Sequence, residues 1–267
     1  LHRAAFPAIR TTFDPSVERP SEGDLDAVSG HPYGIANMQV ESGLSPAHTR
    51  IGWYRAVYAI FYGYAINVFT HELAEKANKD PLDFYRQIYA NSTNPEQAEQ
   101  VKRSLGVLNL AAEKAGWGRE VPEGHGLGIA VHHSFESYLA MVVHAEVDGE
   151  DIKVHRVDCA VDCGLVLNPD QATAQMEGAV MMGMSLALYT EVTFRDGAVV
   201  NSNFHDYPVL RAQEAPPEIN VYFTNTDARP TGLGEPGVPT FAPALSGAIF
   251  AATGVRHRDL PIKPMTV

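Results

Sequence analysis

A single carboxylate stands in an unusually constrained stretch near the C-terminal end of the sequence. Glu235 lies in "TGLGEPGVP", between Gly234 and Pro236. Glycine permits backbone angles that other residues avoid, whereas proline fixes its own φ and biases the preceding residue toward an extended conformation. A surface turn whose charge favours the following helix by about 0.3–1 kcal/mol would explain the glutamate, but not the stiffness of the turn. A positioned general base explains both, because base catalysis depends first on geometry.

A glycine-containing helix, "QATAQMEGAVMMGMS", forms the second candidate feature. Gly178 and Gly183 interrupt its interior, and each glycine costs about 1 kcal/mol relative to alanine. Tight packing of this helix on a sheet would offset that cost, and so would the close approach of a flat ligand. Gln175 lies one turn before Gly178 and faces the same way, so its amide could donate to and accept from whatever comes close.

Composition limits the function classes. The 267 residues can bury a substantial core, and 20 Lys+Arg against 32 Asp+Glu give a formal net charge of −12. This balance argues against nucleic acid and anionic membrane surfaces as partners. The only cysteines, Cys159 and Cys163, are too few for an iron–sulfur cluster in this chain and are expected to be small buried hydrophobes of one strand. His132 and His133 are more typical of strand residues than of metal ligands.

Apolar periodicity predicts the helices that must position these residues. One helix is predicted over 53–79, a second begins at Pro81 with Asp80 as its N-cap, and a third over 94–116 ends at Gly116. The first 50 residues are predicted to be irregular, apart from one strand at 35–42.

The pattern changes after residue 123. The remaining elements are predicted as three strands, a helix, a hairpin, a strand and a final helix, at 126–135, 137–147, 152–162, 168–190, Asp196-Gly197, 219–224 and from Pro239. This order predicts an α+β or mixed α/β fold with a soft boundary near residue 120. Residues 1–120 would then form an irregular and helical part, and residues 121–267 a mixed strand and helix part that contains the candidate base Glu235.

Three segments together resemble one protein family. They are "GWYRAV", "VDCGLVLNPDQATAQMEGAVMMGMSLAL" and "TGLGEPGVPTFAPALSGAIFAATGVRHRDLPI". The resemblance is to the molybdopterin-binding large subunits of the xanthine dehydrogenase family, in the branch of isoquinoline 1-oxidoreductase beta subunits and aldehyde dehydrogenase large subunits. It extends from about residue 30 to the end of the sequence. Ala56 stands where the family more usually has serine, and "NFHDYPVLR" resembles a family loop near the substrate funnel.

The resemblance implies a molybdenum-cofactor-binding fold and a specific chemistry. The cofactor would be a molybdenum ion held by a pterin, as such or as a dinucleotide, with no metal ligand from the protein. Glu235 falls at the position of the base that takes a proton from Mo–OH, so that oxygen from water is inserted into an N-heterocyclic aromatic or an aldehyde. Electrons would pass to a separate small subunit with [2Fe-2S] clusters.

The resemblance also implies further site residues. The cofactor-binding residues would be Arg55, Gln175, Gly178, Gly234 and Gly237, where a guanidinium suits an anionic oxo or pyrophosphate group and glycine lets the backbone approach. The implied substrate-pocket residues are Asp206 and Tyr207.

Two pterin-wrapping segments of the family, a Gly-Gln-Gly segment and a glycine-rich loop with phenylalanine, are not found in this sequence. The chain is therefore expected to be the C-terminal part of the subunit, with the N-terminal part as a partner. A non-catalytic chain that only completes a partner's cofactor pocket is the alternative. A hydrolase using Glu235 and a histidine lacks support, since no Gly-x-Ser-x-Gly motif or metal-ligand cluster accompanies them. No signal peptide or membrane span is predicted, which leaves cytoplasm and periplasm both open.

Overall fold

The computed structural model describes residues 30–41, 52–224 and 226–262. The helices are α1 (Ala59–Lys76), α2 (Pro81–Ala90), α3 (Ala98–Ala115), α4 (Pro169–Leu188) and α5 (Val238–Thr253). The strands are β1 (His125–Ser134), β2 (Ser137–Asp148), β3 (Asp151–Asp162), β4 (Phe194–Arg195), β5 (Ala198–Val199) and β6 (Glu218–Phe223). Short 3-10 turns occur at Pro95–Gln97 and Ala212–Glu214. None of the helices in these ranges is long and apolar enough to cross a bilayer.

A four-stranded sheet in the order β1-β2-β3-β6 forms the centre of the fold. β1, β2 and β3 pair antiparallel, whereas β6 runs parallel to β3. A two-residue turn joins β2 to β3, and its Gly149 has a φ of 59°, which glycine adopts without strain. β4 and β5 form the predicted hairpin at Asp196-Gly197. The mixed α/β fold class is confirmed.

Helices cover both faces of this sheet. α2 and α3 pack on one face with Tyr85, Tyr89 and Leu108 as their largest contributions to the core. α4 and α5 pack on the other face, where Cys159 and Cys163 are buried as predicted. Because α2 and α3 precede residue 120 and pack directly on strands that follow it, the two sides of the expected boundary share one core. The boundary itself stays a prediction.

α5 approaches β1 unusually closely. Gly126 and Gly128 alternate along β1 and face this helix, and a Cβ atom at Gly128 would overlap the backbone carbonyl oxygen of Ala244. At Gly126 a Cβ would overlap the carbonyl oxygen of Ala248. Glycine is required at both positions because helix backbone occupies the place of a side chain, and this contact fixes α5 and the turn that precedes it.

α1 covers the free edge of β1. The Asn67 side chain accepts from the N–H of Val131 at 3.0 Å and donates to the carbonyl oxygen of Val131 at 3.0 Å. His71 Nε2 lies 2.8 Å from the carbonyl oxygen of Ile129. These side chains satisfy strand groups that would otherwise lie unpaired. The strand expected at 35–42 is not formed by residues 35–41, where Ile35 is half exposed, and residue 42 lies outside the described residues.

The predicted helix ends are confirmed in part. Asp80 Oδ1 accepts from the N–H of Leu82 at 2.9 Å, and Gly116 ends α3 with a φ of 64°. The helix predicted from residue 53 begins only at Ala59, because Ala56 and the residue after it have positive φ angles. Such angles are incompatible with a right-handed helix.

A buried ion pair ties α3 to the end of β3, ahead of α4. The Arg103 guanidinium donates to both carboxylate oxygens of Asp162 at 2.6 and 3.0 Å and lies over the Tyr138 ring. Burial raises the pKa of the Asp162 carboxyl, but the hydrogen bonds from Arg103, the Gly164 N–H and Thr226, together with the Arg103 charge, outweigh burial and lower the pKa overall. This bidentate contact fixes the chain as it leaves the sheet toward α4.

Candidate functional site

Three segments from distant parts of the sequence meet at one open cleft. They are residues 53–57 ahead of α1, the first half of α4, and residues 232–237 ahead of α5. The cleft has a volume of about 670 Å³ and is lined by Trp53, Tyr54, Arg55, Val57, Gln175, Gly234 and Glu235. The structure thus brings together four residues implied by the resemblance, Arg55, Gln175, Gly234 and Glu235.

Glu235 is held by one of its two carboxylate oxygens. The backbone N–H of Ala56 donates to Glu235 Oε2 at 2.7 Å, and the carbonyl oxygen of Glu235 accepts from the N–H of Val238 at 3.1 Å. Among the described residues, Oε1 of Glu235 receives no hydrogen bond. The carboxylate is therefore fixed in position while one oxygen stays available to the cleft.

Arg55 connects the other two segments. Its Nε donates to the carbonyl oxygen of Gly234 at 2.7 Å, and an NH2 nitrogen donates to Oε1 of Gln175 at 3.2 Å. The same nitrogen lies 3.4 Å from the Gln175 carbonyl oxygen. One planar guanidinium thereby sets the distance between α4 and the turn that carries Glu235.

The backbone after Arg55 is strained. Ala56 has a φ of 75° and Val57 a φ of 51°, in the left-handed region that β-branched residues avoid. Residues in such conformations cost about 1–3 kcal/mol each and cluster at functional sites. The strain turns the Ala56 N–H toward Glu235, so the hydrogen bond and the strained turn depend on each other.

The glycines divide into two groups. Around Gly234 no other atom lies within 4 Å of a Cβ position, and at Gly178 the nearest is the Arg55 guanidinium at 3.9 Å. At Gly237 a Cβ would lie 2.6 Å from the Ala179 Cβ, and at Gly183 a Cβ would lie 2.7 Å from that of Phe241. Gly237 and Gly183 thus allow α5 to pack closely on α4, so the close contact joins two helices and not a helix and the sheet. Around Gly178 and Gly234 the space is open.

Asp206 does not line the cleft. Its carboxylate accepts from the N–H groups of Asn203 and Ser202 at 2.9 Å, and these backbone hydrogen bonds lower its pKa to about 2. Its charge is used to hold its own loop. Tyr207 lies near Tyr54 of the cleft wall. Burial raises the pKa of Tyr54, and the electrostatic effect of Tyr207 raises it further. Substrate contacts by Asp206 and Tyr207 stay predictions.

Sequence reasoning missed the aromatic wall of the cleft. Trp53 is 75% exposed, and Tyr54 is 42% exposed. Large exposed aromatic side chains in a cleft are typical of ligand-binding surfaces. The available signal was their position directly before Arg55 in "GWYRAV", which the predicted helix obscured.

The polar groups of the cleft fit an anionic, planar cofactor. The side-chain NH2 of Gln175 has no acceptor in the part of the chain that the structure describes, and NH1 of Arg55 has only the Met182 sulfur at 3.9 Å. Both residues line the cleft, where Gly234 leaves open space. A guanidinium and an amide beside an accessible backbone suit phosphate oxygens and a pterin edge.

Comparisons with known proteins agree with this chemistry. The family model for a molybdopterin cofactor-binding domain matches residues 70–216. Isoquinoline 1-oxidoreductase subunit beta of Brevundimonas diminuta is 36% identical over 72% of this chain and 24% of that protein. A membrane-bound aldehyde dehydrogenase of Gluconacetobacter polyoxogenes is 29% identical over 91% of this chain and 34% of that protein. The chain spans about a third or less of the length of these curated relatives.

The fold is also found in solved structures. The aldehyde oxidoreductase from Desulfovibrio desulfuricans matches with a TM-score of 0.63 over 79% of this chain and 40% of that one, at 13% identity. The enzyme of Desulfovibrio gigas matches with a TM-score of 0.60 over 78% of this chain and 40% of that one, at 14% identity. The resemblance to large subunits of the xanthine dehydrogenase family is therefore confirmed, and this chain belongs to the family of molybdopterin cofactor-binding domains.

Proposed function

We propose that the chain forms the catalytic part of a molybdenum hydroxylase large subunit, with Glu235 as its general base. The observation that carries this proposal is the fixed carboxylate. Glu235 lines the cleft, its Oε2 is held by the Ala56 N–H at 2.7 Å, and its Oε1 has no hydrogen-bond donor among the described residues. General bases need this combination of a fixed position and one free oxygen.

Each polar residue of the cleft has a separate task. Glu235 accepts a proton at Oε1 from the attacking oxygen. Arg55 keeps the turn of Glu235 at a constant distance from α4 through its contacts with Gly234 and Gln175. The free amide N–H groups of Gln175 bind the pterin edge, and Gly178 with Gly234 leave room for it.

The bound molybdenum–pterin would supply the two-electron redox chemistry that a carboxylate and a guanidinium cannot perform. Hydroxylation of a C–H carbon with water as the oxygen source releases two protons and two electrons. Glu235 accounts for one of these protons. A separate [2Fe-2S] subunit accounts for the electrons, and the N-terminal part of the large subunit closes the open side of the cleft.

The wall of the cleft and the names of similar proteins support the proposed substrate class. Trp53 and Tyr54 present exposed aromatic surface beside Glu235. Such surface suits a planar, electron-poor ring or aldehyde. The names of similar proteins include isoquinoline, nicotinate and aldehyde oxidoreductases. An N-heterocyclic aromatic or an aldehyde is therefore the proposed substrate.

Glu235→Gln in the complete enzyme tests the proposal. Glutamine keeps the size of the side chain and can accept the Ala56 N–H, but it cannot take up a proton. Molybdenum content should stay unchanged, while kcat should fall by about 10²- to 10⁴-fold. Glu177→Gln is the matched control, because Glu177 is an exposed carboxylate of α4 that does not line the cleft.

Metal content and kcat must be measured on the same preparations. Loss of kcat in Glu235→Gln alone, at equal molybdenum, supports the base. Equal kcat in wild type and Glu235→Gln would instead favour a chain that only completes the cofactor pocket of its partner.

A further inference from the structure

A cluster of imidazoles and one carboxylate lies beside the sheet, just past the end of α3. It contains His125 of β1, His144 and Glu146 of β2, and His155 of β3. The three imidazole rings have centroids 5.0 to 5.3 Å apart. None of these residues lines the Glu235 cleft, so the cluster has no part in the proposed hydroxylation.

The strand pairing builds this cluster. His125 lies directly opposite Glu146 in the antiparallel pair of β1 and β2. In the next pair, His144 is opposite Arg156 but the following residue is opposite Val154, so His155 is an extra residue in β3. Such a bulge redirects a side chain, and here it brings the His155 ring to Glu146.

The geometry points to a metal site: we propose that His125, Glu146 and His155 bind a divalent transition metal such as Zn²⁺. One ligand atom from each of the three lies within 4.8 Å of the others. His155 Nε2 is 2.6 Å from Glu146 Oε2, and His125 Nε2 is 3.9 Å from Glu146 Oε1. Two imidazoles and a carboxylate are a ligand set that Zn²⁺ accepts, with water in the fourth position.

Access and orientation also suit a metal ion. The side chains of His125, His155 and Glu146 keep 15%, 26% and 35% of their surface exposed, so an ion and its water can enter. His125 Nδ1 lies 3.0 Å from His144 Nε2. When Nε2 of His125 is a ligand, its Nδ1–H donates to His144, and a hydrogen bond of this kind orients a metal-binding imidazole.

Arg119 opposes binding. Its guanidinium lies 3.2 Å from Nδ1 of His144, yet that nitrogen carries the proton once His144 Nε2 accepts from His125. The Arg119 N–H and the His144 Nδ1–H would then face each other, and the Arg119 charge would lie near the positive metal ion. Arg119 is exposed and can turn away. Arg119→Ala should therefore bind Zn²⁺ more tightly than the wild type does.

Zinc titration of the full-length protein tests the site. After EDTA treatment and dialysis, the protein is equilibrated with Zn²⁺ alone, and zinc and molybdenum are counted by elemental analysis. We expect one zinc per chain beyond any bound elsewhere. Glu146→Gln and His155→Gln should each weaken this binding by about tenfold or more. His205→Gln is the control, since His205 is an exposed imidazole 3.6 Å from a single carboxylate, Asp206.

Thermal melts distinguish a lost site from a lost fold. Zn²⁺ should raise the melting temperature of the wild type and of His205→Gln, because ligand binding to the folded state stabilises it. At the same zinc concentration it should raise that of Glu146→Gln by less, while all three melt cooperatively without zinc. No stoichiometric zinc in the wild type, or equal affinity in wild type, Glu146→Gln and His155→Gln, would overturn the proposal.

Discussion

The backbone N–H of Ala56 donates a hydrogen bond of 2.7 Å to Oε2 of Glu235, although 179 positions separate the two residues. The bond joins the strained turn before α1 to the glycine- and proline-containing turn before α5. Neither turn alone explains the position of the Glu235 carboxylate. Together they hold one carboxylate oxygen of a residue that lines the cleft, while the other oxygen has no hydrogen-bond donor among the described residues, which is what a positioned base requires.

Arg55 should be needed for activity through the position of its neighbours. In Arg55→Lys, a single ammonium cannot contact both Gly234 and Gln175 in the geometry of the guanidinium. We expect kcat/KM to fall by about tenfold to a hundredfold, because small displacements in an active site have effects of that size. Steady-state kinetics of molybdenum-matched enzyme measure this change.

The control is Arg195→Lys, which changes an exposed arginine of the β4–β5 hairpin. Its kcat/KM should equal that of the wild type. If Arg55→Lys also retained wild-type kcat/KM, the contacts of Arg55 would be incidental to catalysis.

Local sequence signals predicted a turn at Glu235 ahead of the last helix but not the partner of the carboxylate. Glycine and proline act on the backbone nearest to them, so their effect can be predicted from a few residues. The Ala56 contact depends on how α1 and α5 pack. The same packing explains why the predicted helix from Trp53 was wrong at its start, since Ala56 and Val57 adopt angles that only tertiary contacts favour.

The sequence predicts that another group lies close to the glycines of α4, but it does not predict which group that is. A helix interior that contains Gly178 and Gly183 indicates contact with something. Only the structure distinguishes Gly183, which packs against Phe241, from Gly178, whose nearest neighbour is the Arg55 guanidinium at 3.9 Å. The parallel position of β6 beside β3 was equally hidden, because no local pattern specifies which distant strands pair.

The contact of α5 with β1 should tolerate no side chain. Gly128→Ala places a Cβ against the carbonyl oxygen of Ala244, which is helix backbone and cannot move by a rotamer change. Overpacking of a core costs about 1–3 kcal/mol and here should reach at least the upper end of that range. The free energy of unfolding from denaturant titration measures the loss.

Gly106→Ala is a control of opposite sign. Gly106 lies inside α3 with open space at its Cβ position, so alanine should stabilise the protein by about 0.5–1 kcal/mol. If Gly106→Ala and Gly128→Ala had the same free energy of unfolding, the close contact of α5 and β1 would be wrong.

Acid should destabilise the protein through a buried histidine. Burial, with a smaller effect from Arg256, lowers the pKa of His71 to about 4 from its usual value of 6.5. The unfolded chain therefore binds a proton on this residue between these two pH values while the folded chain does not. Above about pH 6.5, His71 is neutral in both states and does not lower the free energy of unfolding. As the pH drops from 6.5 toward 4, the free energy of unfolding falls.

His71→Gln should reduce this acid sensitivity. Its amide can still donate to the carbonyl oxygen of Ile129, but it does not titrate. From one pKa unit per 1.36 kcal/mol, the loss of stability between pH 7 and about pH 4.5 should be smaller than in the wild type by about 2–3 kcal/mol. Denaturant titrations at both pH values measure the difference. His205→Gln, whose ring is exposed when folded, should lose as much stability as the wild type, and an equal loss in His71→Gln would rule out His71 as a source of acid sensitivity.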